Sequence, residues 1–162
     1  MRTYFPPQLL NPAQQTGRWA VRDIDDDQVL YTTNLGSYLR CRVTGSHQLI
    51  LTVANHHSDL GPGQVYALRV DGNLWRRFPA RQEKITVPLT PAPHIIEIMA
   101  AGNTDLDEVW TGKQGFAIRS LAVDDAGILT AAPTRPVIDF IGDSITAGCW
   151  GARRHAAAGF DL

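Results

Sequence analysis

Up to about residue 132, the apolar residues of this chain come in short runs closed by Gly, Pro, Asn or Asp, and several of the runs alternate. A period of two puts every second side chain on one face, which is strand geometry and not helix geometry. In Ser37-Tyr38-Leu39-Arg40-Cys41-Arg42-Val43, Leu39, Cys41 and Val43 share one face, and Tyr38, Arg40 and Arg42 share the other. Residues 48–53 group Leu49, Leu51 and Val53 in the same way. Gly45-Ser46 between these runs is a turn signal, so the two are expected to form a hairpin. Asp71-Gly72 separates residues 65–70 from residues 74–78. An Asp-Gly pair suits a type I′ turn, which needs positive φ at both central residues, and so predicts a second hairpin. Residues 85–89 and 94–99 add two strands, with Pro88 confining the former to an edge or a strand end. Residues 116–123 alternate again and meet the turn Asp124-Asp125-Ala126-Gly127. No strong helical pattern and no internal repeat interrupts this region. Many short strands at close spacing predict a two-sheet sandwich or a barrel.

Composition narrows the class. With 162 residues, 44% apolar and 19% charged, the chain can bury a core without disulfides or metal. Fifteen Lys and Arg against sixteen Asp and Glu give a net charge of -1, without the basic excess of a nucleic-acid binder. No uninterrupted apolar run is long enough to predict a membrane span. The opening Met1-Arg2-Thr3-Tyr4-Phe5-Pro6-Pro7 has no apolar stretch before its prolines, which favours the cytoplasm. Cys41 and Cys149 are far apart and in no C-x-x-C motif, so they read as reduced thiols, and no metal or other cofactor is expected.

The pattern changes near residue 131. Ala131-Ala132-Pro133-Thr134-Arg135-Pro136 leads into the mostly apolar run Val137-Ile138-Asp139-Phe140-Ile141, then Gly142-Asp143-Ser144-Ile145-Thr146. The alanine-rich residues 152–158 favour a helix that Gly159 could stop. Strand, tight turn and helix open a βαβ unit. The expected organisation is a β-sandwich over residues 1–132, a linker over 133–136 and the start of an α/β domain over 137–162. A lone parallel-type strand needs neighbours on both edges and cover on both faces, so the natural protein is expected to continue past Leu162. A serine on a sharp turn after a buried strand presents its hydroxyl where open α/β sheets place their sites. Gly142 lets the chain turn, Asp143 completes the turn, and Ser144 can offer Oγ as nucleophile and its N–H to an oxyanion. The pattern is not G-x-S-x-G, because Thr146 stands where the second glycine would be.

The 137–146 segment resembles the first block of the SGNH (GDSL-type) hydrolases. The region before it resembles the N-terminal jelly-roll β-sandwich that family-two carbohydrate esterases, such as acetylxylan esterases, carry ahead of that block. Gly17-Arg18-Trp19, residues 36–42 and residues 66–72 match it in order and spacing. The resemblance implies a serine esterase that removes acyl groups, typically acetyl, from carbohydrate or another small ester. Ser144 would be its nucleophile, supported by Gly142 and Asp143. The same resemblance implies a later Asp-x-x-His, but His155 is the only histidine after Ser144 and Ala152 stands three residues before it. The chain by itself is therefore expected to be nearly inactive. The alternatives are a non-catalytic module that binds carbohydrate or a partner, and a two-chain enzyme whose partner supplies the histidine.

Other features read more plainly. His56-His57 would point to opposite faces of a strand, poor ligand geometry, and read as a solvated loop. Residues 23–27 lack the glycine and the twelfth-position Glu of an EF-hand and read as a solvated acidic turn. Trp19, Trp75, Trp110 and Trp150 are expected chiefly to pack, with Trp150 best placed to lie near a cleft. Arg76-Arg77 reads as a solvated face.

Overall fold

The computed structural model describes residues 1–10, 15–24, 26–54, 64–102, 111, 115–134 and 136. In chain order the elements are β1 (Arg2–Tyr4), α1 (Pro6–Leu9), β2 (Gln15–Thr16), β3 (Ala20–Ile24), β4 (Asp27–Thr32) and β5 (Tyr38–Thr44). Then follow β6 (Gln48–Val53), β7 (Val65–Val70), β8 (Arg76–Pro79), β9 (Lys84–Pro88), β10 (His94–Gly102), β11 (Phe116–Val123) and β12 (Ile128–Ala131). They make two antiparallel sheets. The first runs β3-β4-β11-β6-β9, with β1 paired to the far end of β11; the second runs β12-β5-β10-β7-β8, with β2 paired to β5. This is the mainly β sandwich expected from the alternation.

The core lies between the sheets. Leu39, Cys41, Val43, Tyr66, Leu68, Ile96 and Ile98 of the second sheet meet Leu30, Leu49, Leu51, Val53, Ile85, Phe116 and Leu121 of the first. The Tyr66 ring stands edge-on to Phe116 across the gap, with centroids 5.1 Å apart. Burial pushes the Cys41 thiol up to about 12, so it serves as a small apolar filler.

The Asp71-Gly72 hairpin is present. Asp71 and Gly72 take φ of 54° and 73°, and Asn73 N–H donates to the Val70 carbonyl at 3.0 Å. The returning strand starts at Arg76, later than its apolar residues suggest. Pro88 ends β9, which is an edge strand, as its missing N–H requires.

The hairpin expected at Gly45-Ser46 is overturned. Strand β5 pairs with β10 and β12, and β6 pairs with β11 and β9, so the chain crosses from one sheet to the other. Both strands carry a wholly apolar face. Leu39, Cys41 and Val43 of β5 and Leu49, Leu51 and Val53 of β6 are instead buried in one core from opposite sheets. A second crossing, from β11 to β12 through Asp124 to Gly127, lies against the first. Asp124 accepts from His47 N–H at 2.7 Å and from Gln48 Nε2 at 3.0 Å, and its own N–H donates to Ser46 Oγ at 2.9 Å. A Cβ on Gly127 would lie 2.9 Å from Ser46 Cβ and from Val123 Cγ2, so only glycine allows this approach.

Two further features depart from simple alternation. In β11 the partner register slips between Ile118 and Ser120, so Arg119 is an extra residue. Phe116 and Ile118 face the core before the bulge, and Leu121 and Val123 face it afterwards. Residues 6–9 form one helical turn that periodicity is too short to reveal. Pro6 starts it, Gln8 Oε1 takes the Phe5 N–H at 2.9 Å, and Leu9 enters the core.

Candidate functional site

Ser144, Gly142 and Asp143 lie outside the described residues, as do His56, His57, Trp110, Trp150 and Cys149. What the structure does show is the surface that leads the chain toward them. The outer face of the second sheet carries a cross-strand row. Glu97 on the central strand β10 stands opposite Arg40 of β5 on one side and Arg69 of β7 on the other. Alternation sends all three away from the apolar core, yet Glu97 is only 3% exposed because the two arginines cover it. Its Oε1 lies 3.5 Å from Arg40 Nε, and its Oε2 bonds Arg69 Nε. Arg69 in turn lies 4.4 Å from the centre of the Trp75 ring. Two cations facing one buried carboxylate satisfy it and leave a guanidinium edge for another acceptor. Arg40 Nη1 donates to the Pro133 carbonyl. The chain leaving β12 is thus tied to this face eleven positions before Ser144.

A second polar cluster escaped the sequence reading. Asp71 Oδ1 accepts from Ile95 N–H at 2.7 Å, and Oδ2 lies 2.6 Å from His94 Nδ1. His94 Nε2 is 3.2 Å from Thr90 N and 2.7 Å from Thr90 Oγ1. A backbone N–H can only donate, so Nε2 is the acceptor and the ring proton sits on Nδ1, toward Asp71. The order carboxylate, imidazole, hydroxyl is that of a nucleophilic triad. The Nε2 lone pair is already engaged by the Thr90 backbone, so the cluster works as a brace between the β7–β8 turn and the loop before β10. Burial raises the Asp71 carboxyl, but the His94 and Ile95 hydrogen bonds outweigh it and hold the group below its ordinary value. The three residues are four and twenty-three positions apart, and no local motif announces them.

The remaining sequence-picked residues have definite places. Asp26 is exposed at the β3–β4 turn, and Asp27 pairs with Arg119 at 2.9 Å. Arg76 and Arg77 are exposed, Arg76 lying 5.4 Å from the Phe78 ring centre. Trp19 packs against the main core and donates Nε1–H to the Thr16 carbonyl at 3.2 Å.

No family model matches the chain. No curated protein matches it either. Solved structures do. The chain is similar to the salicylyl-acyltransferase SsfX3 from a tetracycline biosynthetic pathway, with TM-score 0.54 and 18% identity over 83% of this chain and 43% of that one. It is also similar to a family two carbohydrate esterase from Cellvibrio japonicus, with TM-score 0.53 and 18% identity over 83% of this chain and 36% of that one. At such identity the likeness is one of fold, and it meets the resemblance to family-two esterases at that level. The chain spans less than half the length of either protein.

Proposed function

We propose that this chain is the N-terminal portion of a serine ester hydrolase that removes acyl groups, in the first place acetyl, from carbohydrate, with Ser144 as its nucleophile. The observation that carries the reading is the segment Ile141-Gly142-Asp143-Ser144-Ile145-Thr146, placed directly after a sandwich of the fold found in an acyltransferase and a carbohydrate esterase. In this reading residues 137–162 begin the catalytic domain, residues 133–136 link it to the sandwich, and the Arg40–Pro133 contact fixes where it starts. Ser144 Oγ bonds to the acyl carbon, a base takes its proton, and the sugar oxygen leaves with a proton; water then releases the acid from the acyl-serine. In this reading the Ser144 N–H is one donor to the developing oxyanion. No Asp-x-x-His follows Ser144 within these 162 residues, so the reading assigns the base to a segment outside them.

The test begins with the gene beyond the codon for Leu162. An open frame that supplies an Asp-x-x-His is expected. The longer protein should hydrolyse aryl acetates and acetylated xylan, and Ser144→Ala should lower kcat by roughly a thousandfold or more. The 162-residue chain alone should stay at the uncatalysed rate. Full activity in Ser144→Ala would overturn the assignment. Polysaccharide retention on an affinity gel, with no capture of Ser144 by a fluorophosphonate, would favour the binding-module reading instead.

A further inference from the structure

The chain also changes sheets between β9 and β10, and residues 89–93 carry that crossing. Pro91 and Pro93 have no N–H, so few backbone donors can anchor it. Leu89 N–H donates to the His47 carbonyl at 2.7 Å, and the Pro91 carbonyl takes the Gly45 N–H at 2.9 Å. Both bonds tie the crossing to the corner between β5 and β6. Thr90 N–H is held by a side chain instead, donating to His94 Nε2 at 3.2 Å. His94 also holds the β7–β8 turn through Asp71. One imidazole thus joins two connections that are far apart in sequence.

The two ring nitrogens have unequal partners. Nδ1 faces Asp71 Oδ2, an acceptor, and keeps its proton whether the ring is neutral or charged. Nε2 faces a backbone N–H, which only donates, and the Thr90 hydroxyl at 2.7 Å, which can donate or accept. In the neutral ring Nε2 accepts from Thr90 N–H. A second proton turns Nε2 into a donor. The hydroxyl can reverse and accept it; the backbone N–H cannot, and loses its acceptor. The same proton makes His94 a cationic partner for Asp71, which strengthens that hydrogen bond. Charging therefore closes the Asp71 side of the ring and opens the Thr90 side.

The surrounding charges leave this exchange to Asp71. Residues 89–93 carry none. Across the second sheet His94 stands opposite Val43 of β5, and alternation turns the neighbouring Arg42 to the outer face. At the adjoining corner His47 and Asp124 face each other, with Nδ1 3.6 Å from Oδ2. Among the described residues, Asp71 is the charged group bonded to the His94 ring. Asp71 is held below its ordinary value and stays ionised throughout the range in which histidine changes charge. The His94 side chain is 16% exposed, so the ring is held in place yet open to solvent protons. We infer that His94 is a pH-sensitive latch on the β9–β10 crossing: the neutral ring holds Thr90, and the charged ring releases Thr90 and closes on Asp71. The inference is independent of Ser144 and of ester chemistry.

Amide hydrogen exchange and the imidazole nitrogen shifts of the full chain, followed by NMR from about pH 8 to pH 5, test it. At the upper end the ring proton should sit on Nδ1. Thr90 N–H protection, corrected for intrinsic rate, should fall by roughly fivefold or more as the ring charges. Ile95 N–H, which donates to Asp71, should keep its protection over the same range. Asp71→Asn removes the anionic partner and should move the Thr90 transition to lower pH, in step with the ring. Constant Thr90 protection while the ring charges, a ring that stays neutral throughout, opening of Ile95 together with Thr90, a neutral ring with its proton on Nε2, or a Thr90 transition unmoved by Asp71→Asn would each overturn the proposal.

Discussion

The turn at Asp71-Gly72 and the turn at Gly45-Ser46 look alike in sequence, yet one keeps the chain in its sheet and the other carries it across the sandwich. At the first, Asp71 and Gly72 both hold positive φ and close a local hydrogen bond. That geometry twists two flanking strands into pairing. At the second, Gly45 alone has positive φ, and its N–H donates to the Pro91 carbonyl of a distant loop. Its strands are joined across the core by their apolar faces, and its corner is held by Asp124 from a third segment. A local turn can specify a hairpin only where its own torsions are those the hairpin requires. Elsewhere the burial of the flanking strands decides.

The comparison predicts that the crossing is the more fragile of the two. Gly127→Val drives a side chain into Ser46 and Val123 and should cost about 2–3 kcal/mol in urea unfolding, the usual cost of overpacking. Ser46→Ala removes the acceptor of the Asp124 N–H at a wholly buried side chain and should cost about 1–3 kcal/mol. Gly72→Ala meets nothing within 4 Å and pays only for its positive φ, about 1–2 kcal/mol. A larger loss in Gly72→Ala than in Gly127→Val would reverse the ranking.

The smallest effect is one of pH. Asp124 is held below the ordinary carboxylate value of 3.8 by the Gln48 and His47 hydrogen bonds, and Asp71 lies below it through His94 and Ile95. For a depressed carboxyl the stability is complete above the unfolded value and is lost as pH falls through the folded one. Both turns should therefore loosen below about pH 4. Hydrogen exchange corrected for intrinsic rate at His47 N–H and Ile95 N–H, followed from pH 6 to pH 3, checks this. Asp124→Asn should flatten the first profile alone, and Asp71→Asn the second alone.

Much of the strand content was legible. Strands β5, β6, β7, β9, β10 and β11 follow from alternation, because burying one face of a sheet imposes a period of two. The phase change at Arg119 was not, because a bulge is paid for by its partner strand β6 and leaves no local mark. Strands β1 to β4 were also missed. β4 is buried on both faces at Val29, Leu30 and Tyr31 and so does not alternate, while β1 and β2 are too short to show a period. The proposal of Ser144 as nucleophile rests on consecutive residues, and they lie outside the described ones. The Arg40–Glu97–Arg69 row and the Asp71–His94–Thr90 brace join distant positions, which come together only once the strands pair.

By itself the sequence determined which residues turn inward and where Asp71-Gly72 reverses the chain. Each of these rests on torsions or side-chain order within a few residues. Only the tertiary structure decided which sheet each strand joins, that β5 and β6 face rather than flank each other, and that Arg40, Glu97 and Arg69 form one row. Those outcomes depend on which apolar faces can be buried against one another, a property of the whole chain that no short segment contains.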